Sequence, residues 1–196
     1  MKRSIILTGL MILLGTSFIG AQSKYNAKKA DFTILGTSNL HDWEMNCSQA
    51  TIKGDFLVES GALTGVENVV VEIPVKSLKS EKGSIMDGKT YDALKAKEHG
   101  KIYFTLSNVN SITKSGAGYN VKASGNLKIA GYSRSVTMTV FVKVLSNGDL
   151  EITGSKDLKM TDYKVDPPTA MFGALTTGDD VTVKFNAALT SNQLNK

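Results

Sequence analysis

The stretch from Gly118 to Val144 leaves a chain little freedom in what it can become. From Tyr119 the apolar positions fall on every second residue: Tyr119, Val121, Ala123, Leu127 and Ile129, with Asn120, Lys122, Ser124, Asn126 and Lys128 between them. After Ala130-Gly131 the alternation resumes with Val136, Met138, Val140, Val142 and Val144, while Thr137, Thr139 and Lys143 stand opposite. Successive side chains of a strand point to opposite faces, so a period of two means one dry face and one wet face. Two such strands joined by a short Gly-containing turn form an antiparallel hairpin. A hairpin this long cannot bury its apolar face alone.

The rest of the chain supplies partners of the same kind. Asp31 to Thr37, Glu44 to Ser48, Thr51 to Ser60, Asn68 to Val75, Lys101 to Ile112, Asp149 to Leu158 and Asp180 to Leu189 all read as strands, and Gln22 to Lys29 as a polar lead-in. Ile52, Phe56 and Val58 share a face with Gly54, a residue that in a strand marks a bend or a close approach. Ser146-Asn147-Gly148 is a hairpin turn, since Asn-Gly accepts positive φ. Between Lys76 and Gly100 the period of two is lost; Met86 to Ala96 reads as a short helix with Leu94 facing inward. Lys159 to Gly178, with Pro167-Pro168, is irregular and is expected to cap or line an opening.

Long antiparallel strands must hide two edges, and closing the sheet into a barrel removes them. An eight-stranded barrel is just wide enough to be filled by side chains or to hold one small ligand. A sandwich has shorter strands as a rule, and no Cys–Trp–Cys pattern supports an immunoglobulin type. A membrane-spanning barrel needs an apolar outside and a polar lumen, which would turn the lysine-bearing faces inward. The expected fold class is therefore all-β: an antiparallel, closed eight-stranded barrel with one short helix.

The N-terminus carries a separate message. Lys2 and Arg3, the apolar run Ile5 to Ile19, and Gly20-Ala21-Gln22 have the layout of a secretory signal cleaved after Ala21. The run is shorter than the ~20 residues of a spanning helix and is interrupted by Gly15, Thr16 and Ser17. Residues 1–21 are thus expected to be a signal peptide and 22–196 a single barrel domain, periplasmic or secreted. Losing Lys2 and Arg3 lowers the formal charge of +5 by two. With no arginine-rich run, nucleic acid is not an expected partner. Cys47 is the sole cysteine, so no internal disulfide is available, and its bland reading is a small buried hydrophobe.

Several segments resemble the YceI-like family. They are Ser84 to Phe104, with Met86-Asp87, Ala93-Leu94-Lys95-Ala96 and His99 ahead of Lys101-Ile102-Tyr103-Phe104; Gly125 to Arg134, similar to a "G-x-L-x-I-x-G" hairpin; Thr51 to Phe56; and Leu40-His41-Asp42-Trp43. Gly100 and Ser135 stand where members often have proline, which marks a divergent branch. The resemblance implies a lipocalin-like barrel that takes a polyisoprenoid, an isoprenoid quinone or a similar amphiphile into its lumen, for transport or storage. Phe56, Phe104, Leu106, Leu127, Ile129, Met138, Val140 and Phe185, with Trp43 near the opening, are the expected wall of that site, and His41 and Arg134 the expected polar contacts.

No catalytic set, metal site or cofactor motif accompanies this wall. H-E-x-x-H and H-x-H spacings are missing, and no serine sits in a nucleophile elbow. His41-Asp42 leaves open an enzyme working at the barrel mouth, and a structural exported domain with a filled core is the third reading. Arg134, the only arginine after the signal, falls on the dry phase of Val136 and Met138. Two roles stand for it: pairing with an acid, or binding a pyrophosphate or carboxylate with its rigid fork. Seven lysines between Lys76 and Lys101 read either as a solvated connection or as a basic rim for transient contact with an anionic headgroup or membrane surface.

Overall fold

The computed structural model describes residues 22–192; the expected signal, 1–21, lies outside them. The strands run β1 (Gln22–Ser38), β2 (Trp43–Cys47), β3 (Thr51–Glu59), β4 (Ala62–Pro74), β5 (Lys101–Ser115), β6 (Gly118–Ile129), β7 (Tyr132–Val144), β8 (Leu150–Lys159), β9 (Thr169–Ala170) and β10 (Leu175–Ser191). The helix α1 spans Ser84–Ala93. Eight strands in the order β1-β3-β4-β5-β6-β7-β8-β10 close antiparallel through a β1–β10 pairing, with β2 and the two-residue β9 added at the margin. This is the closed barrel expected from the alternation. Its outward residues, among them Lys122, Lys128, Thr137 and Thr139, are exposed, the reverse of a membrane-spanning barrel. Among the described residues no helix is long and apolar enough to cross a membrane.

The opening hairpin forms as its alternation demands, with Tyr119–Ile129 paired to Val142–Tyr132 without a register shift. Its turn places Ala130 and Gly131 at φ 46° and 87°, the two positive values that match the twist of flanking strands. At Asn147-Gly148 only the glycine has positive φ; Asn147 instead ties the longer loop by side-chain bonds to Asp149.

Several boundaries differ from the sequence expectation, among them β10, which begins at Leu175 and not Asp180, and three have a clear physical reason. Gln22 to Lys29 is strand, not lead-in: β1 pairs with β3 over Gln22–Asn26 and with β10 from Tyr25 onward. A bulge between Ala27 and Lys29 shifts the inward phase from Tyr25 to Ala30 and hides the alternation. β4 starts at Ala62, its pattern broken by a bulge opposite Lys53/Asp55 and by Asn68 at φ 53°. The helix ends at Ala93 because Lys95 turns left-handed at φ 53°, though Leu94 does face inward.

Along β1, one edge carries β3 below and β2 above, since β2 pairs with Phe32–Gly36. β2 bonds on its other side to the connection through Asn46 and Lys79, at 2.7 and 2.8 Å. Residues 75–94, α1 included, therefore complete the wall at this end. Asp87, the one buried charged residue among those described, anchors α1: its carboxylate accepts the Ser80 backbone N–H at 2.8 Å and Lys79 Nζ at 3.1 Å. The Ser80 bond, aided by Lys79 against the cost of burial, holds its carboxyl below the usual carboxylate range.

Candidate functional site

The barrel is filled at one end and hollow at the other. Tyr25, Phe56, Leu63, Val121, Val142, Leu150 and Leu189 pack into the closed end. Tyr25 and Phe56 meet edge-on with ring centres 5.4 Å apart, and Tyr25 Oη donates to the Gly148 carbonyl at 3.0 Å. Above them lies an inner chamber of about 180 Å³ and then an outer one of about 480 Å³ that reaches the mouth. Ile34, Leu78, Ile102, Ile129, Leu158 and Val183 line both, so the two adjoin end to end as an apolar tube along the barrel. Its size falls in the range of small-ligand sites, ~300–1,000 Å³.

Glycines keep the tube open. Phe185 on β10 pairs with Gly154 on β8, and its ring occupies the place a Gly154 side chain would take. Phe104 does the same over Gly125 of β6, and Trp43 over Gly36 of β1. Each ring thus lies flat on the neighbouring strand and does not project across the axis. Phe32 stacks on Phe185 at 5.6 Å, extending this aromatic wall.

Phe56, Phe104, Leu106, Leu127, Ile129, Met138, Val140 and Phe185 all line the inner chamber, while Trp43 and His41 line the outer one. Trp43 donates its indole N–H to the Thr37 carbonyl at 2.9 Å, so its polar edge is satisfied and its ring is left to the chamber. His41 is exposed, and its Nδ1 lies 2.8 Å from the Asp42 carbonyl oxygen, a local backbone contact and not an imidazole–carboxylate pair. Cys47 is buried, with Sγ 3.0 Å from Ser77 Oγ.

Arg134 stands apart from the tube. It is exposed, donates from Nε to the Asp162 carbonyl at 2.8 Å and has Nη2 3.8 Å from the Asp162 carboxylate. Of its two roles the structure takes the acid pair. The pairing has a topological reason. β7 and β8 hydrogen-bond only over Val140–Val144 and Gly154–Leu150, so they part toward the mouth. The turn Thr161–Tyr163 fills the slit: Tyr163 and Val165 are buried against Ala130, Leu127 and Leu158. Burial pushes the Tyr163 hydroxyl up from its ordinary value. Arg134 clips this turn to β7.

The cations that do line the tube are lysines. Lys82 and Lys89, just before and within α1, and Lys159 at the end of β8 line the outer chamber, and Lys156 lines the inner one beside the slit; no carboxylate lines either chamber. Lys159 is paired with Asp180 at 2.6 Å. Lys156 had a sequence signal, because Ile152, Gly154, Lys156 and Leu158 share the inward phase of β8. Lys82 and Lys89 had none beyond the lysine-rich connection. Among the described residues no group of three or more His, Cys, Asp or Glu is placed to hold a metal ion.

A closed antiparallel barrel with an apolar axial tube and a cationic mouth defines a lipocalin-like class of protein. Within that class the chain belongs to the YceI-like family, whose domain model matches residues 25–189. Its fold is shared by Burkholderia cenocepacia BcnA, at 18% identity over 82% of this chain and 96% of that one, TM-score 0.62. A polyisoprenoid binding domain from Saccharophagus degradans, implicated in plant cell wall breakdown, matches at 13% identity over 85% and 98%, TM-score 0.63. The Campylobacter jejuni YCEI protein matches at 17% identity over 98% and 94%, TM-score 0.54. At these identities the likeness is one of fold. No curated protein gives a significant sequence match.

Proposed function

We propose that the barrel is a non-enzymatic carrier that holds one amphiphilic lipid of the polyisoprenoid or isoprenoid-quinone type, for transport or storage. The observation that carries this reading is the tube of two adjoining chambers: lined mainly by apolar and aromatic side chains, blind at one end, and rimmed by lysines at the other. A prenyl tail gains roughly 25 cal/mol per Å² of buried apolar surface wherever it lies in such a tube, so the tail supplies affinity and the mouth supplies orientation. Lys82 and Lys89, which form no ion pair, and His41 are the groups we assign to the polar head. A structural domain would gain stability by filling this space, since interiors are normally close-packed. The polyisoprenoid binding described for the Saccharophagus degradans domain is the same chemistry.

We further assign residues 1–21 to a cleaved signal, which makes the mature protein periplasmic or secreted and beginning near Gln22. Mass spectrometry of protein purified without detergent from its native cells tests both readings. An organic extract should contain a prenyl lipid, and the intact mass should lack residues 1–21. A lipid-free protein that takes up no isoprenoid on titration overturns the carrier; a mass retaining Met1 to Ala21 overturns export.

A further inference from the structure

Five large hydrophobic residues are exposed among those described: Leu40, Ile85, Tyr103, Tyr132 and Phe172. None is at the closed end. Leu40 tips the loop between β1 and β2, flanked by Ser38 and His41 of the outer chamber. Phe172 tips the loop between β9 and β10, flanked by Thr169 and Leu175 of the same chamber, and holds left-handed φ 54°. Asn39 joins these loops, donating to the Ala174 carbonyl at 2.9 Å and accepting the Thr176 N–H at 3.0 Å. Ile85 stands on the first turn of α1 and also lines the mouth. Three aliphatic or phenyl tips on three segments thus surround one opening, at 69%, 83% and 113% exposure.

We infer that the mouth docks on the surface of an anionic phospholipid bilayer, with Leu40, Ile85 and Phe172 entering the headgroup–acyl boundary and Lys82 and Lys89 facing the lipid phosphates. A single exposed apolar residue needs no explanation, but a cluster around a functional opening marks an interaction site. Tyrosine favours the depth where bilayer meets water. Tyr103 and Tyr132, on the outer wall near the mouth, occupy that position, and Lys95 Nζ lies over the Tyr132 ring at 5.6 Å from its centre. A protein partner would expect a contiguous apolar core within a polar rim, whereas these tips are separated by an opening. Lysines near an anionic leaflet are attracted within about a Debye length. Asp42 and Glu81 stand in the same rim segments, so the charge contribution is modest and the apolar tips dominate. The geometry delivers the tube's opening directly to the hydrocarbon from which a prenyl lipid would leave or which it would enter.

The test is partitioning of the mature protein onto vesicles of phosphatidylglycerol and phosphatidylcholine, read by co-sedimentation. Wild type should bind mixed anionic vesicles several-fold more strongly than pure phosphatidylcholine. The double variant Leu40→Ser/Phe172→Ser should lose at least tenfold, and adding Ile85→Ser should lose more. Neither Leu40 nor Phe172 lines the tube, so the double variant should still take up a prenyl lipid offered from cyclodextrin, which separates failure of docking from failure of the carrier reading. Wild type that ignores vesicles, or a double variant that binds as wild type does, overturns docking. Equal binding to both vesicle types overturns its anionic part.

Discussion

At the closed end of the barrel Tyr25, Phe56, Leu63, Val121, Val142, Leu150 and Leu189 meet across the axis, and none keeps more than 4% of its surface. At the mouth Ile34, Trp43, Met86, Leu94, Leu158 and Val183, just as apolar, stay half-buried around a chamber of about 480 Å³. The same residue chemistry serves opposite ends because the walls differ. Below, paired strands bring large side chains to the axis. Above, β2 leaves β3's line, β7 parts from β8, and a helix and a turn fill the margins. Stability and binding are thereby separated along one axis, and substitutions at the two ends should have different consequences.

The largest effect is expected at the closed end. Leu150→Ala should cost about 2–5 kcal/mol in denaturant unfolding, since Leu150 is fully buried and lines neither chamber. A loss below about 1 kcal/mol would erase the distinction between the ends. Enlarging a side chain sharpens the contrast. Leu189→Phe should cost about 1–3 kcal/mol by overpacking, since Leu189 is fully buried and lines neither chamber. Met138→Trp, which points into the inner chamber, should cost less than about 1 kcal/mol yet weaken isoprenoid uptake roughly tenfold, a difference of ~1.4 kcal/mol. Titration and unfolding of both variants check the pair.

Asp87→Asn probes the mouth's wall. It should lower stability by about 1–2 kcal/mol at pH 7, most of it from the Ser80 N–H, because Lys79 is open to solvent. The folded carboxyl ionises more readily than the unfolded one. Its contribution is therefore complete above the ordinary carboxyl range near pH 4, and it is lost as pH falls through the lower folded value. The gap between wild type and variant should close in acid. Arg134→Ala should cost about 0–1 kcal/mol and speed hydrogen exchange at Thr161–Val165, while leaving affinity for anionic- and neutral-headed isoprenoids alike. The smallest effect on stability belongs to Lys82→Gln/Lys89→Gln, within about 0.5 kcal/mol of wild type, with affinity lost several-fold for an anionic head and unchanged for a neutral quinone.

The hairpin and the barrel it demands were legible because Tyr119 to Val144 keeps its period wherever register is unbroken. Tyr25 was not, because a bulge reverses the phase between it and Ala30. The chamber wall was readable for the same reason as the hairpin: inward phase is a property of single strands. The mouth is not built that way. Ile85 and Met86 are neighbours that both line the outer chamber, yet one is exposed at its rim and the other half-buried within it, and only tertiary placement of α1 decides which. Arg134 was expected on the dry phase or at the mouth, but it is exposed and apart from the tube, because the turn it clips comes from 28 residues further along the chain, beyond the reach of any local pattern.

The glycines beneath the aromatic rings make the bore adjustable. An alanine at Gly154 would first meet ring atoms of Phe185, a side chain that can swing toward the axis. An alanine at Gly125 would also meet the Thr105 carbonyl, which cannot swing, and strains the sheet itself. One position is therefore a dial and the other a fixed stop. Methyl by methyl, a barrel of this design can be retuned to shorter or bulkier tails, with the depth of the tube acting as a ruler for the lipid it accepts.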